Sequence, residues 1–323
     1  MWRAVARRVG EWHACLPVLS IASQTKSCST KGEEHGDHTP PWDNIRTMDE
    51  RRSATGSLVN GKGYDHDIFA PNGTAPNLWT VIHKWIDALP ISTEAEKNRK
   101  DVLARELVWV ADELGSMQGI DGKPFVFAHC DLLSGNVIVL PRTTDGSSSP
   151  KAAATILNGS DGEDAVNVGF IDYEYATAAP SAFDIANHFA EWGGFDCDFS
   201  VLPTRTQRRD FLQCYLGSYY EHLQDRGTSQ PLEDGGEANE VTEQRLQKDL
   251  KHLFEQVDAF RGLPGFYWSI WALIQSMNSQ IDFDYASYAK IRLSEYWAWK
   301  AEWRGSREKT AEMPLRERRW QEE

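Results

Sequence analysis

The feature that most constrains the fold is a polar loop between two short apolar stretches near the middle of the chain. Residues 125–128 (FVFA) and 137–140 (VIVL) have the composition of buried strands, and the loop His129–Asn136 joins them. A third apolar stretch, 168–171, leads directly into Asp172. Polar clusters at the ends of buried strands predict a functional site carried by a rigid scaffold.

Helical periodicity dominates the remainder of the chain. Between residues 93 and 117, large apolar side chains recur at spacings of three and four, which places them on one helix face. Three short strands among many helices favour an α+β fold that is mainly helical. The predicted helices cover about residues 2–16, 77–90, 93–117, 181–192, 206–224, 242–260, 264–279 and 284–303.

Two polar, low-complexity segments interrupt this pattern, at about residues 20–76 and 141–165. Their composition offers too little apolar surface to form a packed core, so we interpret them as flexible insertions. The sequence then predicts one domain, residues 1–303, that carries both insertions. A charged tail, residues 304–323, follows it and is expected to be frayed.

Net charge and cysteine usage narrow the class of partner and the compartment. The 323-residue chain has a formal net charge of −14. This charge repels nucleic acids and anionic lipid, so we expect neither as a partner, and a small cation is a more natural ligand.

The five cysteines form no CxxC pair, which is typical of a reduced, cytoplasmic protein. No apolar run is long enough for membrane insertion. The start of the chain also fits a transit peptide, but an amphipathic helix is the favoured interpretation.

The loop His129–Asn136 (HCDLLSGN) has the H-x-D-x4-N spacing of a protein-kinase catalytic loop. In that chemistry a carboxylate orients the acceptor hydroxyl, and a second oxygen ligand holds Mg²⁺ against the phosphates. Asp131 and Asn136 are the candidates for these two roles. The pattern alone also arises by chance. His129 is expected to be structural and bonded to nearby backbone, not a base or a metal ligand.

A second polar cluster, Asp172-Tyr173-Glu174-Tyr175, follows the third apolar stretch. A kinase needs another acid at a strand end to hold Mg²⁺ between the phosphates, and Asp172 fits that role. If the strand stays extended, Glu174 points the same way and assists the metal. The alternative is an ordinary acidic strand end.

A third cluster lies within residues 183–192 (FDIANHFAEW), where polar side chains recur at helical spacing. Such a stripe also occurs on solvated helix faces. The flanking aromatic residues favour a partly buried, functional face instead. The stripe consists of Asp184, Asn187, His188 and Glu191.

Together, the segments HCDLLSGN, VGFIDYEY and AFDIANHFAEW resemble the choline/ethanolamine kinase family. RRVGEWHACLP resembles the first helix of that family's C-terminal lobe, and the aromatic stretch from Gly265 resembles its closing segment. The resemblance covers most of residues 2–300 and implies a protein-kinase-like C-terminal lobe. It starts at the helix after the inter-lobe hinge, so the N-terminal lobe is expected to be missing from this chain.

The resemblance also assigns roles to single residues. It implies that Asp131 is the catalytic base and that Asn136 and Asp172 bind Mg²⁺, with ATP as the phosphoryl donor. Glu191 would face the ammonium group of the substrate. Aromatic faces stabilise such a cation, although helical periodicity alone would place the two tryptophans in the core. The family's cation-binding aromatic positions match Trp268, Trp271, Tyr288 and, in addition, Tyr175.

The reaction that the resemblance implies is phosphorylation of ethanolamine to phosphoethanolamine, a step of phospholipid biosynthesis. The acids in residues 193–198 (GGFDCD) suit a cation that donates N–H bonds, which favours ethanolamine. Choline kinase, or a kinase with dual specificity, is the alternative substrate assignment. A second alternative is a non-catalytic module that binds amino alcohols and has no N-terminal lobe. The competing explanation for the missing lobe is that the sequence is a truncated form of a full kinase. An aminoglycoside phosphotransferase would share the H-x-D-x4-N loop but not FDIANHFAEW.

Overall fold

The computed structural model describes residues 1–18, 76–141, 166–225, 236–307 and 312–323. Apart from Pro76 and Pro141, the two predicted insertions lie outside these residues. The described residues form a mainly helical α+β structure, as predicted. Its strands are β1 (Val126–Ala128), β2 (Val137–Leu140), β3 (Asn167–Phe170) and β4 (Thr177–Ala179). Its helices are α1 (Trp2–Cys15), α2 (Leu78–Asp87), α3 (Glu94–Gly115), α4 (Ser181–Ala190), α5 (Arg205–Asp225), α6 (Gly236–Phe260), α7 (Leu263–Asn278), α8 (Tyr285–Trp303) and α9 (Leu315–Gln321).

Helix α1 is amphipathic, as predicted, and packs along α5. Val5 and Val9 are buried on its inner face. A Cβ atom at Gly10 would lie 2.4 Å from the carbonyl oxygen of Tyr215. Only glycine therefore permits the close approach of these two helices. This contact fixes His13, one turn further along α1, against the centre of the protein.

The helices α2 and α3 begin at reciprocal capping boxes. Asn77 accepts the backbone N–H of Thr80, whose side chain bonds back to the cap, and Thr93 and Glu96 repeat this arrangement at α3. Such caps satisfy N–H groups that the first helical turn leaves without partners. The buried side chains of α3 confirm the predicted apolar face and are Leu103, Leu107, Val110 and Leu114.

The strands form two small antiparallel sheets. β1 pairs with β4 so that Val126 lies opposite Ala179, and β2 pairs with β3 so that Val137 lies opposite Phe170. The apolar stretches predicted β1, β2 and β3 within one residue at each end. β4 was not predicted, because its sequence TAA has neither alternation nor β-branched bulk beyond Thr177. The two sheets bring the ends of β1 and β3 into one region.

Helix α4 lies at the centre of the structure, and all ten of its residues are buried. Helices α7 and α8 pack closely against each other next to it. A Cβ atom at Gly265 would lie 2.5 Å from the carbonyl oxygen of Arg292, which shows how near the two backbones approach. The core of the protein therefore surrounds a helix that carries several polar side chains.

The charged tail differs from the expectation. Residues 315–321 form α9, and Arg316, Glu317 and Trp320 on this helix are buried. The prediction of a frayed tail was wrong for these residues, because a buried tryptophan and buried ion pairs hold them. The indole N–H of Trp320 donates to Asp258 over 2.7 Å, and the Arg208 guanidinium lies 3.9 Å above its ring.

Within the ranges given above, no helix combines the length and the apolar character that a membrane span requires.

Candidate active site

The loop between β1 and β2 carries Asp131, and a carboxylate on α4 holds this loop in place. Asp184 accepts the backbone N–H of His129 over 3.0 Å and that of Cys130 over 2.7 Å. Cys130 has a φ of 62°, a conformation that costs a non-glycine residue free energy. Two charge-assisted hydrogen bonds stabilise the chain at this strained position.

Asp184 is in turn held by α1. The Nε2 atom of His13 lies 2.9 Å from the Asp184 carboxylate, and its Nδ1 atom lies 2.9 Å from the Tyr215 hydroxyl. Burial would raise the pKa of Asp184, but the hydrogen bond and the charge of His13 outweigh it and lower the pKa. The carboxylate therefore stays ionised inside the core. Sequence reasoning missed His13, because an isolated histidine on an apolar helix face carries no distinguishing pattern.

The other polar residues of α4 hold the same loop. Asn187 donates to the carbonyl of Cys130 over 2.8 Å, and its side-chain oxygen accepts the indole N–H of Trp268 over 2.8 Å. The Nδ1 atom of His188 donates to the carbonyl of Leu132 over 2.7 Å. The predicted stripe is therefore buried, and three of its members, Asp184, Asn187 and His188, bond to the backbone of the catalytic-loop candidate.

Asp131 is buried and bonded to Asn136. The amide nitrogen of Asn136 donates to the backbone carbonyl of Asp131 over 2.8 Å and to its carboxylate over 3.1 Å. Burial, followed by the negative charges of Glu191 and Asp172, raises the pKa of Asp131 to about 8. A carboxyl group with such a pKa exchanges its proton near neutral pH, which is the property of a general base.

His129 connects the loop to β3. Its Nε2 atom donates to the carbonyl of Ile171 over 3.0 Å, and its ring contacts those of Phe170 and Tyr173. Burial lowers the pKa of His129, so the ring is neutral. Its contacts are with backbone and aromatic rings, and they fix the end of β3 relative to the loop.

Asp172 and Glu174 follow β3 in a turn. The strand ends at Phe170, and Asp172 has a φ of 62°, so the extended-strand premise for Glu174 was wrong. The two acids nevertheless interact electrostatically. Partial burial, together with the charge of Asp172, raises the pKa of Glu174. The backbone N–H of Ile171 donates to the carbonyl of Asn136 over 3.1 Å, which keeps this turn beside Asp131.

The donor chemistry on this side fits Mg²⁺. The Asn136 amide nitrogen is used by Asp131, which leaves its Oδ1 atom as an oxygen donor. The exposed carboxylate of Asp172 follows Ile171, whose backbone N–H is bonded to the carbonyl of Asn136. Carboxylate and amide oxygens are the protein ligands that Mg²⁺ accepts, usually with waters and phosphates completing its shell. Across the described part of the chain, no group of three or more His, Cys, Asp or Glu side chains is placed to bind a metal ion by itself.

The predicted aromatic residues form a continuous cluster on α7, α8 and the turn after β3. Tyr175 accepts the indole N–H of Trp271 over 2.9 Å, and the rings of Tyr175 and Trp268 meet at 5.6 Å. Trp268 is buried and anchored to Asn187, as core packing requires, whereas Trp271 is partly buried. Through Tyr285 and Phe283 the cluster continues to Tyr288.

Glu191 follows α4 in a short 3₁₀ turn and lies against α8. Its Oε1 atom is 3.2 Å from an Nη1 atom of Arg292, which also lies 3.3 Å from the Tyr288 hydroxyl. Burial raises the pKa of Glu191, although the charge of Arg292 opposes this. The negative charge of Glu191 contributes to the raised pKa of Asp131, so the two acids interact electrostatically. Sequence reasoning missed Arg292. The signal for it was the buried acid itself, which needs a cationic partner.

The fold and this arrangement define a protein-kinase-like C-terminal lobe, with a candidate catalytic loop after β1 and an acidic turn after β3. A family model described as choline/ethanolamine kinase matches residues 3–297. The chain belongs to the choline/ethanolamine kinase family. Mouse ethanolamine kinase 1 is 32% identical over 249 residues, which cover 73% of this chain and 57% of the relative.

More distant relatives agree with this assignment. Probable ethanolamine kinase A of Dictyostelium discoideum is 29% identical over 235 residues, which cover 72% of this chain and 55% of the relative. A solved structure of a Plasmodium vivax ethanolamine kinase has a TM-score of 0.51 and 21% identity, and it covers 91% of this chain and 58% of its own. That likeness concerns the fold. The chain spans about half the length of the curated relatives it matches.

Proposed function

We propose that this chain provides the catalytic lobe for ATP-dependent phosphorylation of ethanolamine to phosphoethanolamine, in phospholipid biosynthesis. One observation carries the proposal. Asp131, with its pKa raised to about 8, is hydrogen-bonded to Asn136 and interacts electrostatically with Asp172 and with the buried Glu191. An alcohol that also carries a cation matches this combination of groups. The relatives named ethanolamine kinase support the same substrate.

Asp131 acts as the base in this reaction. Its ionised carboxylate accepts the proton of the substrate hydroxyl while that oxygen attacks the γ-phosphorus of ATP, and ADP leaves. Asn136 holds the carboxylate by a hydrogen bond, so the base is oriented before substrate binds. A cation bound beside Asp131 would favour its ionised form, because it offsets the charges of Glu191 and Asp172.

Asn136 and Asp172 would hold Mg²⁺ through oxygen atoms, and Glu174, whose charge interacts with that of Asp172, would assist them. When bound, Mg²⁺ would neutralise charge on the phosphates of ATP. The protein's own contribution is to fix these oxygen donors on one side of Asp131. The hydrogen bond from Ile171 to Asn136 supports this, since it ties the acidic turn to the loop.

Glu191 and the aromatic cluster recognise the ammonium end of the substrate. A cation near aromatic faces gains about 0.5–2 kcal/mol, and a buried carboxylate adds Coulomb attraction. The aromatic cluster of Tyr175, Trp268, Trp271 and Tyr288 is also a reason to keep choline as the second candidate, because a trimethylammonium group prefers aromatic walls. His129, Asp184 and Asn187 support the loop and do not contact the substrate. A cytoplasmic location remains a prediction, which imaging of a tagged protein would test.

The test is phosphoryl transfer from ATP-Mg²⁺ by this chain, with ethanolamine and choline offered separately. Turnover of ethanolamine supports the proposal, and Asp131→Asn is expected to abolish it while Asp101→Asn, on the exposed surface of α3, leaves it unchanged. Turnover of choline alone would favour the second candidate. Ethanolamine binding in calorimetry without turnover would favour the non-catalytic binding module. Absence of both would refute the proposal.

A further inference from the structure

Arg292 is a fully buried cation in direct contact with Glu191. Its guanidinium lies 3.2 Å from Glu191 Oε1 through Nη1 and 3.2 Å from Glu295 Oε1 through Nε. The side chains of Arg292 and Glu191 are only 1% and 6% exposed. An arginine in such a position is uncommon unless carboxylates surround it.

This contact is the end of a buried chain of ion pairs. The second oxygen of Glu295 lies 3.1 Å from Arg316 on α9, and Arg316 pairs at 3.1 Å with Glu317. Buried ion pairs stabilise proteins little, and apolar residues of similar volume often do as well. The position of Glu191 at one end of the chain, inside the candidate cation site, offers a functional reason for it.

The pairing is one-sided. Arg292 contacts the Oε1 atom of Glu191, and among the residues that the structure describes none hydrogen-bonds its Oε2 atom. A carboxylate held in this way keeps one oxygen in a fixed orientation for a further donor. A primary ammonium has three N–H donors for such an oxygen, whereas a trimethylammonium group has none.

We propose that Arg292 is a positioning residue that gives the site its preference for a primary ammonium over a quaternary one. This inference rests on the proposed function, because it concerns the cation that the same site accepts. Arg292 holds Glu191 through Oε1 and leaves Oε2 for an N–H donor of the substrate. It contacts no substrate atom itself.

The effect of removing Arg292 follows from the charges that surround Glu191. Without the guanidinium, a buried Glu191 faces mainly negative or neutral groups and takes up a proton in the ligand-free protein. Ethanolamine binding must then release that proton, whereas choline, which has no N–H donor, gains only Coulomb attraction from the ionised oxygen. The titratable or charged groups that face Glu191 are Arg292, Glu295 and Tyr288 on α8, Cys197 in the loop after α4, and Asp131.

The experiment compares Arg292→Met with Arg316→Met in the full chain. Both arginines are buried and pair with Glu295, but only Arg292 contacts Glu191. Calorimetry in buffers of different ionisation enthalpy measures the affinity for ethanolamine and choline and the number of protons released. Arg292→Met is expected to weaken ethanolamine binding by about tenfold or more, as for a lost charged hydrogen bond, and choline binding by less than about threefold. It also releases more protons per ethanolamine than the wild type.

Arg316→Met is expected to keep the wild-type ratio of the two affinities and the wild-type proton release. Arg292→Lys provides a second variant if Arg292→Met does not fold, which circular dichroism reveals. The lysine side chain is shorter and ends in a single ammonium, which cannot contact both Glu191 and Glu295. This variant is therefore also expected to lower the preference for ethanolamine over choline. An unchanged preference in the folded Arg292 variants, or an equal change in Arg316→Met, overturns the inference alone. A wild-type chain that binds neither amino alcohol overturns the proposed function and this inference with it.

Discussion

Replacement of Asp131 by Asn is expected to raise the free energy of unfolding of the ligand-free, metal-free protein. This increase is expected to become larger as the pH rises. The ordinary pKa of an aspartate, 3.8, applies in the unfolded chain, while burial and the charges of Glu191 and Asp172 raise it to about 8 in the folded protein. Between these values the folded state binds more protons than the unfolded state. Stability therefore falls as pH rises through this window, and an asparagine does not share the loss.

The magnitude follows from the width of that window. The free energy of unfolding changes by about 1.4 kcal/mol per pH unit for one such group, which accumulates to about 4 kcal/mol at pH 7. Below pH 4 the two proteins are expected to differ little, because Asp131 is then protonated in both states. The hydrogen bond from Asn136 has an acceptor in either protein. Urea unfolding followed by circular dichroism between pH 4 and 8.5, with EDTA present, measures the difference.

Asp198→Asn is the matched control. Asp198 is exposed, and hydrogen bonds from Ser200 lower its pKa, so its stabilising contribution is complete above about pH 5. The control is expected to show no trend from pH 5 to 8. If Asp131→Asn also shows a constant difference over that range, Asp131 is ionised in the folded protein and the electrostatic reasoning for the base fails.

Two further substitutions test the packing around the site. Asp184→Asn keeps only one acceptor for the two backbone N–H groups of His129 and Cys130, so it is expected to lower the free energy of unfolding by about 3 kcal/mol in urea titrations; a change under about 1 kcal/mol would contradict this role. Trp320→Ala removes the buried side chain that holds α9 and is expected to cost about 3–5 kcal/mol, measured by thermal unfolding. An unchanged melting temperature would mean that α9 does not dock in solution.

Local sequence patterns predicted the fold where the signal was local. Helical periodicity, together with Ser, Thr or Asn residues near helix starts, predicted α1 through α8. Most of the predicted ends lie within a few residues of the observed ones, although α6 begins six residues before its predicted start. The H-x-D-x4-N spacing predicted the loop at Asp131, because the residue order of such a loop is itself the chemical requirement. The polar stripe of α4 was also visible, since its members recur at helical spacing.

The features that were missed depend on contacts distant in sequence. β4 is defined by its pairing with β1, and no property of Thr177–Ala179 alone marks it as a strand. In the sequence, Arg292 looks like an ordinary charged residue of α8. Its ion pair with the buried Glu191 becomes visible only in the structure. The burial of α9 depends in the same way on Asp258 and Arg208, which lie on other helices.

Helix α4 connects the two ends of the candidate site through one rigid element. Asp184, Asn187 and His188 bind the loop that carries Asp131, and Glu191 follows at the end of the same helix. The hydroxyl end and the ammonium end of an amino alcohol would therefore be recognised by groups that α4 holds in fixed relation. Because a helix of ten buried residues cannot move without disturbing the core, the separation between Asp131 and Glu191 is set by the fold. Such a site would account for a stripe of polar residues at a position where apolar side chains would pack with less penalty.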